Sequence, residues 1–273
     1  MDSPKFFWLG LLSILAITLA FGYYIRLALR LKREGGEVRP GPLGFPDLFV
    51  SVVLSTFLAA LALLAFRQTT QGEMAITREV MLVNAGFQLA LVACLLVFLK
   101  ARGVRILDVV RRTRISAPRA IWRAALMLIC ALPVVGVFSA ISYLLPQDLR
   151  SEQEMVKLFG DVSTAGNLEM IVLVAITAVV VAPLCEEFIF RGYFYPVWKQ
   201  YFGPVGSAVL AATLFALMHA NLASLPGLFA LAICFILAFE ATGSLAVPML
   251  MHALFNGLSL TMLYLRAKGI ITG

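Results

Sequence analysis

The sequence predicts an all-α protein, a polytopic membrane helix bundle of about eight transmembrane helices. Hydrophobic residues make up 61% of the 273 residues and charged residues only 14%. The mean hydropathy is +0.94, which excludes a water-soluble globule because most of the surface must be apolar. The apolar residues form separate runs, and the basic residues are concentrated in two of the connecting loops.

Eight apolar runs follow one another along the chain. They cover residues 6–25, 48–66, 80–99, 124–145, 170–195, 205–220, 225–241 and 245–264. Most are long enough to cross about 30 Å of hydrocarbon as a helix. The first run is too long for the apolar part of a signal peptide, so we expect it to be a span. The sixth and seventh are short, and we expect them to be tilted or covered by neighbouring helices.

The basic residues indicate how the chain is oriented. Two loops, after the first and the third run, carry most of them: Arg26, Arg30, Lys32, Arg33 and Arg39, then Lys100, Arg102, Arg105, Arg111, Arg112, Arg114, Arg119 and Arg123. The positive-inside rule places both loops in the cytoplasm and, with eight spans, both termini outside. Insertion and anionic headgroups then explain the net charge of +7, so no nucleic-acid partner is expected.

The four cysteines are expected to be core residues. All lie inside apolar runs without a short paired spacing, which favours neither a disulfide framework nor a zinc knuckle. Cys185 directly precedes two glutamates, but a buried thiol is normally inert, so we do not expect it to be a nucleophile.

Ionisable residues inside the apolar runs are confined to the second half of the chain. Of the fifteen acidic residues, only Glu186, Glu187 and Glu240 lie within or at the edge of these runs, and both histidines, His219 and His252, lie there too. A charge at the centre of a spanning helix costs roughly 2.5 to 3.5 kcal/mol, so such a cluster indicates a functional site. Glu240 stands at a helix end and is expected to reach the membrane interface.

Helical spacing separates the roles of the two adjacent glutamates. Glu187 and Arg191 stand at i and i+4, so they share a helix face and can form an ion pair. Glu186 points about 100° away and has Phe190 at its own i+4 position, so no cation on its helix neutralises it. Glu186 is therefore a candidate general base.

Two further pairs share helix faces in later runs. Phe215 and His219 form one pair, and His252 and Asn256 form the other. His252 and Asn256 offer neighbouring hydrogen-bond donors, an arrangement typical of an oxyanion hole. The alternative for the histidines, Asn256 and Glu186 is a polar contact between helices, and Phe215 is expected to pack beside the histidine.

Other intramembrane protease chemistries lack their residues in this sequence. There is no HExxH, no GxGD with a second intramembrane aspartate, and no GxSxG. By residue type alone, Glu186, His219 and His252 could still converge as three zinc ligands with an open position.

Three signatures on successive apolar runs resemble those of a known family. They read EExxxR at Glu186, Glu187 and Arg191, FxxxH at Phe215 and His219, and HxxxN at His252 and Asn256. This set resembles the CAAX protease and bacteriocin-processing (CPBP, or ABI) family, which includes the Ras-converting type of CAAX prenyl endopeptidase. The flanking strings RGYFYPVW and GSLAVPMLMHALFN are similar too, and the resemblance covers residues 170–264.

The resemblance implies a mechanism and a division of the chain. Glu186 and His219 would activate a water, His252 and Asn256 would stabilise the oxyanion, and the remaining signature residues would support the site. It implies a metal-independent enzyme without a cofactor. Residues 1–168 would form four N-terminal helices with basic cytoplasmic loops, and residues 169–265 a catalytic core of four transmembrane helices.

The resemblance therefore implies an intramembrane glutamic-type endopeptidase. We expect it to cleave a membrane-associated, lipidated or leader-bearing peptide or protein in the lipid bilayer, as a multi-pass protein of the cell (plasma) membrane of a prokaryote. The alternative is a catalytically silent membrane scaffold or regulator, or a bacteriocin-immunity protein.

Overall fold

The backbone is helical almost throughout. The computed structural model describes residues 3–39, 41–70, 77–110, 113, 115–150 and 153–271. These residues contain helices and short connections but no strand, which confirms the all-α prediction. Arg111, Arg112 and Arg114, which were used to orient the chain, lie outside the described residues.

Six α-helices precede residue 168 among the described residues. They are α1 Ser3–Glu34, α2 Phe45–Thr70, α3 Arg78–Ala101, α4 Ile106–Val110, α5 Ala117–Ser139 and α6 Glu154–Ala165. Local chemistry sets several of the ends. The Thr77 hydroxyl accepts from the Val80 amide at the start of α3, and Gly166 ends α6 in the left-handed conformation with φ of 71°.

The second half begins with one long helical rod. It consists of α7 Leu168–Ile176, a π-helical segment Thr177–Val181, α8 Ala182–Glu187, a second π-helical segment Phe188–Phe194, and α9 Tyr195–Leu217. The chain then forms α10 Leu225–Thr242 and α11 Ala246–Ala267.

The described residues provide the predicted spans. They contain seven helices that are long and apolar enough to cross a membrane, and one of these is the 50-residue rod Leu168–Leu217. A straight helix of that length would measure about 75 Å, more than twice the hydrocarbon thickness. The rod breaks at Gly203, which has φ of 69° and ψ of 173° and precedes Pro204. The fifth and sixth predicted runs lie on either side of this break, so a multi-pass bundle of about eight spans is confirmed.

Helix α10 occupies the centre of the bundle. It contacts α1, α5, α9 and α11. Its span is 61% buried by protein, whereas no other span exceeds 33%, so the short seventh run is covered by its neighbours as expected. Gly227 allows a close approach, because a Cβ there would lie 2.2 Å from the Ser139 hydroxyl at the end of α5.

The two basic loops meet at one end of α10. The Glu37 amide donates to the Glu240 carbonyl at 2.8 Å, and the Thr113 amide donates to the Gly243 carbonyl at 3.1 Å. Glu37 follows α1 and Thr113 follows α4, so both loops lie on the same side of the bundle. This agrees with the orientation that the basic residues predict.

The expectation that Glu240 reaches the interface is wrong. Its side chain is buried, forms an ion pair with Lys199, and accepts from the Tyr195 hydroxyl at 2.5 Å. The loop after α1 covers it, and the Lys199 ammonium also donates to the Val38 carbonyl of that loop at 2.7 Å. The position of Glu240 at a helix end does not predict its burial, because the loop that covers it lies about 200 residues earlier in the sequence.

Candidate active site

A buried ion pair lies at the centre of the signature residues. The Arg191 Nη1 donates to Glu187 Oε1 at 2.9 Å, and the two side chains are 1% and 0% exposed. The Arg191 Nη2 also donates to the Ala232 carbonyl of α10 at 3.2 Å. The i, i+4 spacing thus places both charges together, and each neutralises the other where solvation is poor.

Phe215 lies beside the ion pair. The Arg191 guanidinium is 4.5 Å from the Phe215 ring centroid and 5.2 Å from that of Phe235. The Phe215 ring also contacts His219 at 5.1 Å and His252 at 5.8 Å between centroids. Phe215 is therefore in contact with signature residues from all three motifs, and these cation–π and ring contacts pack them together.

Glu187 also orients a histidine from another helix. The His252 Nδ1 lies 3.0 Å from Glu187 Oε1, the same oxygen that accepts from Arg191. An ionised carboxylate only accepts, so we assign the hydrogen to Nδ1, and Nε2 of the neutral ring is then an acceptor. Donation to an oxyanion through Nε2 would require the protonated imidazolium. Sequence reasoning missed this contact, because it joins residues 65 positions apart.

His219 has a fixed tautomer for a similar reason. Its Nδ1 lies 2.9 Å from the Phe215 carbonyl oxygen, which can only accept. The hydrogen is therefore assigned to Nδ1, and Nε2 is a potential proton acceptor.

The chain reverses sharply after His219. Ala220 has φ of 47°, a left-handed conformation that is uncommon for residues other than glycine. The Asn221 side-chain oxygen then accepts from the Ser224 amide at 2.9 Å, just before α10 begins. The strained turn fixes the position of His219 at the end of α9, and such strain is often found at functional sites.

Glu186 has an acceptor oxygen without a protein partner. The side chain is half-buried, and its Oε2 is buried with no hydrogen-bond partner among the described residues. Glu186, His252 and Arg191 all lie within electrostatic range of the His219 ring. The Phe215 ring contacts both histidines, and Glu186 directly precedes Glu187 of the ion pair.

Asn256 contacts the π-helical segment before the glutamates. Its side-chain Nδ2 donates to the Ala178 carbonyl at 2.7 Å. In a π-helix this carbonyl would pair with the amide five residues later, but that residue is Pro183, which has no N–H. The Ala182 amide, four residues later, donates to Thr177 instead. Asn256 therefore satisfies a carbonyl that Pro183 leaves unpaired.

The contact of Asn256 modifies the predicted oxyanion hole. One Nδ2 hydrogen of Asn256 is used by Ala178, so only the second remains for a substrate oxygen. Pro183 inside an apolar run was the sequence signal that could have revealed this contact.

Neither a metal site nor a thiol site is assembled around these residues. In the part of the chain that the structure describes, no three His, Cys, Asp or Glu side chains are arranged to hold a metal ion. Cys185 is a buried free cysteine that directly precedes Glu186, and buried thiols are normally inert.

Comparison with known proteins shows what the segment that carries this cluster is similar to. Residues 168–258 match the family described as type II CAAX prenyl endopeptidase Rce1-like, and this segment includes all three signatures. The similarity extends to one curated relative in particular, the membrane-embedded CAAX protease MroQ of Staphylococcus aureus (strain USA300), to which this chain is 26% identical over 123 residues.

The similarity is confined to part of each chain. The match covers 38% of this chain and 47% of the relative, so this chain matches about half the length of its curated relative. No solved structure matches the chain significantly. The similarity and the apolar helices together indicate an integral, multi-pass membrane protein related to CAAX proteases.

Proposed function

We propose that the protein is an intramembrane endopeptidase. It hydrolyses a peptide bond of a membrane-associated, lipidated or leader-bearing substrate, without a metal or another cofactor. The observation that carries this proposal is the unpaired, buried Oε2 of Glu186 within electrostatic range of His219, whose Nε2 is an acceptor. The similarity to CAAX proteases supports the same class of reaction.

Two acceptors in one cluster suit the activation of a water. The water donates one hydrogen to Glu186 and the other to His219 Nε2, and its oxygen attacks the carbonyl carbon of the peptide bond. One water proton passes to this pair of acceptors as the C–O bond forms. The proton is then delivered to the leaving nitrogen as the C–N bond breaks, which yields a carboxylic acid and an amine, and the acid passes its proton to the amine.

The developing oxyanion needs hydrogen-bond donors. Asn256 supplies its second Nδ2 hydrogen, and a protonated His252 ring would supply Nε2–H. Glu187 and Arg191 hold His252 in place and do not act on the substrate.

We also propose the setting in which the enzyme acts. The relative comes from a bacterium, and the basic loops predict an orientation in a cell membrane, so the protein is assigned to the plasma membrane of a prokaryote. Its partners are then a peptide or protein substrate and the lipid bilayer.

A catalytically silent scaffold is the second candidate. The contacts of Glu187, Arg191, His252 and Asn256 are hydrogen bonds between elements of the bundle, and they would stabilise a protein without turnover equally well.

Peptide cleavage by purified protein in nanodiscs tests the proposal. The substrates are a prenylated peptide, the same peptide without its lipid, and a leader peptide, each with and without a strong chelator, and products are identified by mass spectrometry. We expect cleavage of at least one peptide at an unchanged rate under chelation. Cleavage that is lost on chelation would contradict the metal-independent mechanism, and no cleavage of any peptide would favour the scaffold.

A further inference from the structure

A glutamine on α3 faces the rod that carries the two glutamates. Gln88 is half-buried, and its Oε1 is a buried acceptor for which the described part of the chain provides no donor. An unpaired amide oxygen at membrane depth is costly, because no lipid group can donate to it. The proposed mechanism assigns no role to this residue.

The position of Gln88 follows from its neighbours on α3. Met81 and Leu95 lie seven residues before and after Gln88, and all three lie on one face of the helix. Met81 belongs to the buried cluster of Val174, and Leu95 belongs to that of Phe188. Gln88 therefore faces the stretch of rod between Val174 and Phe188, which contains Glu186.

The helix contacts agree with this placement. Helix α3 contacts both α8 and the π-helical segment Thr177–Val181. Both segments lie between Val174 and Phe188 in the sequence. Glu186 belongs to α8, so Gln88 lies on the helix that packs against the segment carrying Glu186.

We propose that Gln88 binds the substrate backbone where α3 faces α8. Its Oε1 accepts from a peptide N–H near the scissile bond and so holds the carbonyl toward the water at Glu186. The water has no hydrogen left for Gln88, because Glu186 and His219 accept both. This inference rests on the proposed function and adds a substrate-binding residue to it.

Proximity is tested first, without any need for turnover. The four native cysteines are replaced by alanine, and cysteines are introduced by Gln88→Cys with Glu186→Cys. The control pair is Asn84→Cys with Glu186→Cys, because Asn84 lies one turn earlier on α3 and is exposed. A short bifunctional thiol reagent should cross-link the first pair and not the second. Absence of the cross-link between positions 88 and 186 would overturn the inference.

Kinetics then test the role of Gln88. A hydrogen bond made equally to substrate and transition state changes KM rather than kcat. Gln88→Leu should raise KM about 5- to 10-fold, the effect of one neutral hydrogen bond, with kcat little changed, and Asn84→Leu should match wild type. Gln88→Asn should recover part of the loss.

The outcomes separate this inference from the proposed function. If the wild type cleaves a peptide and Gln88→Leu has the same KM and kcat as Asn84→Leu, the role of Gln88 is overturned and the proposed protease activity stands. A fall in kcat alone would also contradict substrate binding by Gln88. If the wild type cleaves no peptide, the proposed function fails, and the role of Gln88 fails with it.

Discussion

At the scale of single residues, one carboxylate oxygen connects two of the three signatures. Glu187 Oε1 accepts from Arg191 on its own helix and from His252 on α11. Removing either charge of the pair leaves the other buried without compensation, which costs more than the pair itself contributes.

Arg191→Ala should therefore destabilise the protein by about 3 to 5 kcal/mol, because Glu187 loses its counter-ion. Thermal unfolding in detergent measures the effect. Arg105→Ala is the control, since Arg105 is exposed and its ion pair with Asp108 should contribute little. Equal unfolding temperatures for Arg191→Ala and wild type would contradict the structural role of the pair.

Some contacts of the candidate site can be predicted from the sequence, and others cannot. The pair of Glu187 and Arg191 follows from helical spacing alone. The contact between Glu187 and His252 does not, because it depends on how α11 packs against the rod. The left-handed turn at Ala220 was also not predicted, since alanine gives no local signal for that conformation.

At the scale of helices, the rod departs from regular α-helix on both sides of the glutamates. The π-helical segments Thr177–Val181 and Phe188–Phe194 enclose α8, which ends at Glu187. Such segments are often found at functional sites. In the first of them, the Ala178 carbonyl accepts a hydrogen bond from the Asn256 side chain of α11.

The pairing of Asn256 with Ala178 predicts an energetic coupling with Pro183. Asn256→Ala should cost about 1 to 3 kcal/mol, because the Ala178 carbonyl is left unsatisfied. Pro183→Ala restores a backbone N–H that can pair with this carbonyl. In the Pro183→Ala variant, Asn256→Ala should therefore lower the free energy of unfolding by less than it does in the wild type. A double-mutant cycle of thermal unfolding measures this difference. Additive effects of the two substitutions would contradict the account.

The helices were largely predictable, but the π-helical segments were not. Apolar runs gave the spans, and the Gly203-Pro204 step is a strong signal for the break in the rod. Hydrophobic periodicity does not distinguish a π-helical turn from an α-helical one in a segment that is apolar on most sides.

At the scale of the whole molecule, the loop after α1 covers a second buried polar cluster. Glu240, Lys199 and Tyr195 lie beneath the loop after α1, and Gly36 of that loop lies directly against the Glu240 carboxylate. This packing joins the N-terminal helices to the half of the chain that carries the signatures.

Gly36→Ala should destabilise the protein by about 1 to 3 kcal/mol, the usual cost of overpacking. A Cβ at this position would lie 1.6 Å from Glu240 Oε2, so either the loop must move away or the carboxylate must leave its contacts with Lys199 and Tyr195. Gly86→Ala is the matched control, because a Cβ there meets nothing within 4 Å. Thermal unfolding distinguishes the two, and an unchanged Gly36→Ala variant would show that the loop does not pack tightly on Glu240.

The most direct test of the account is the cleavage rate of Glu186→Gln in nanodiscs. Glutamine keeps the size of the side chain but cannot accept the proton of the water, so the rate should fall by about 10² to 10⁴-fold with unfolding unchanged. Glu79→Gln, an exposed control on α3, and Cys185→Ala should both cleave like wild type. A Glu186→Gln variant that cleaves at the wild-type rate would contradict the central claim that Glu186 activates the water.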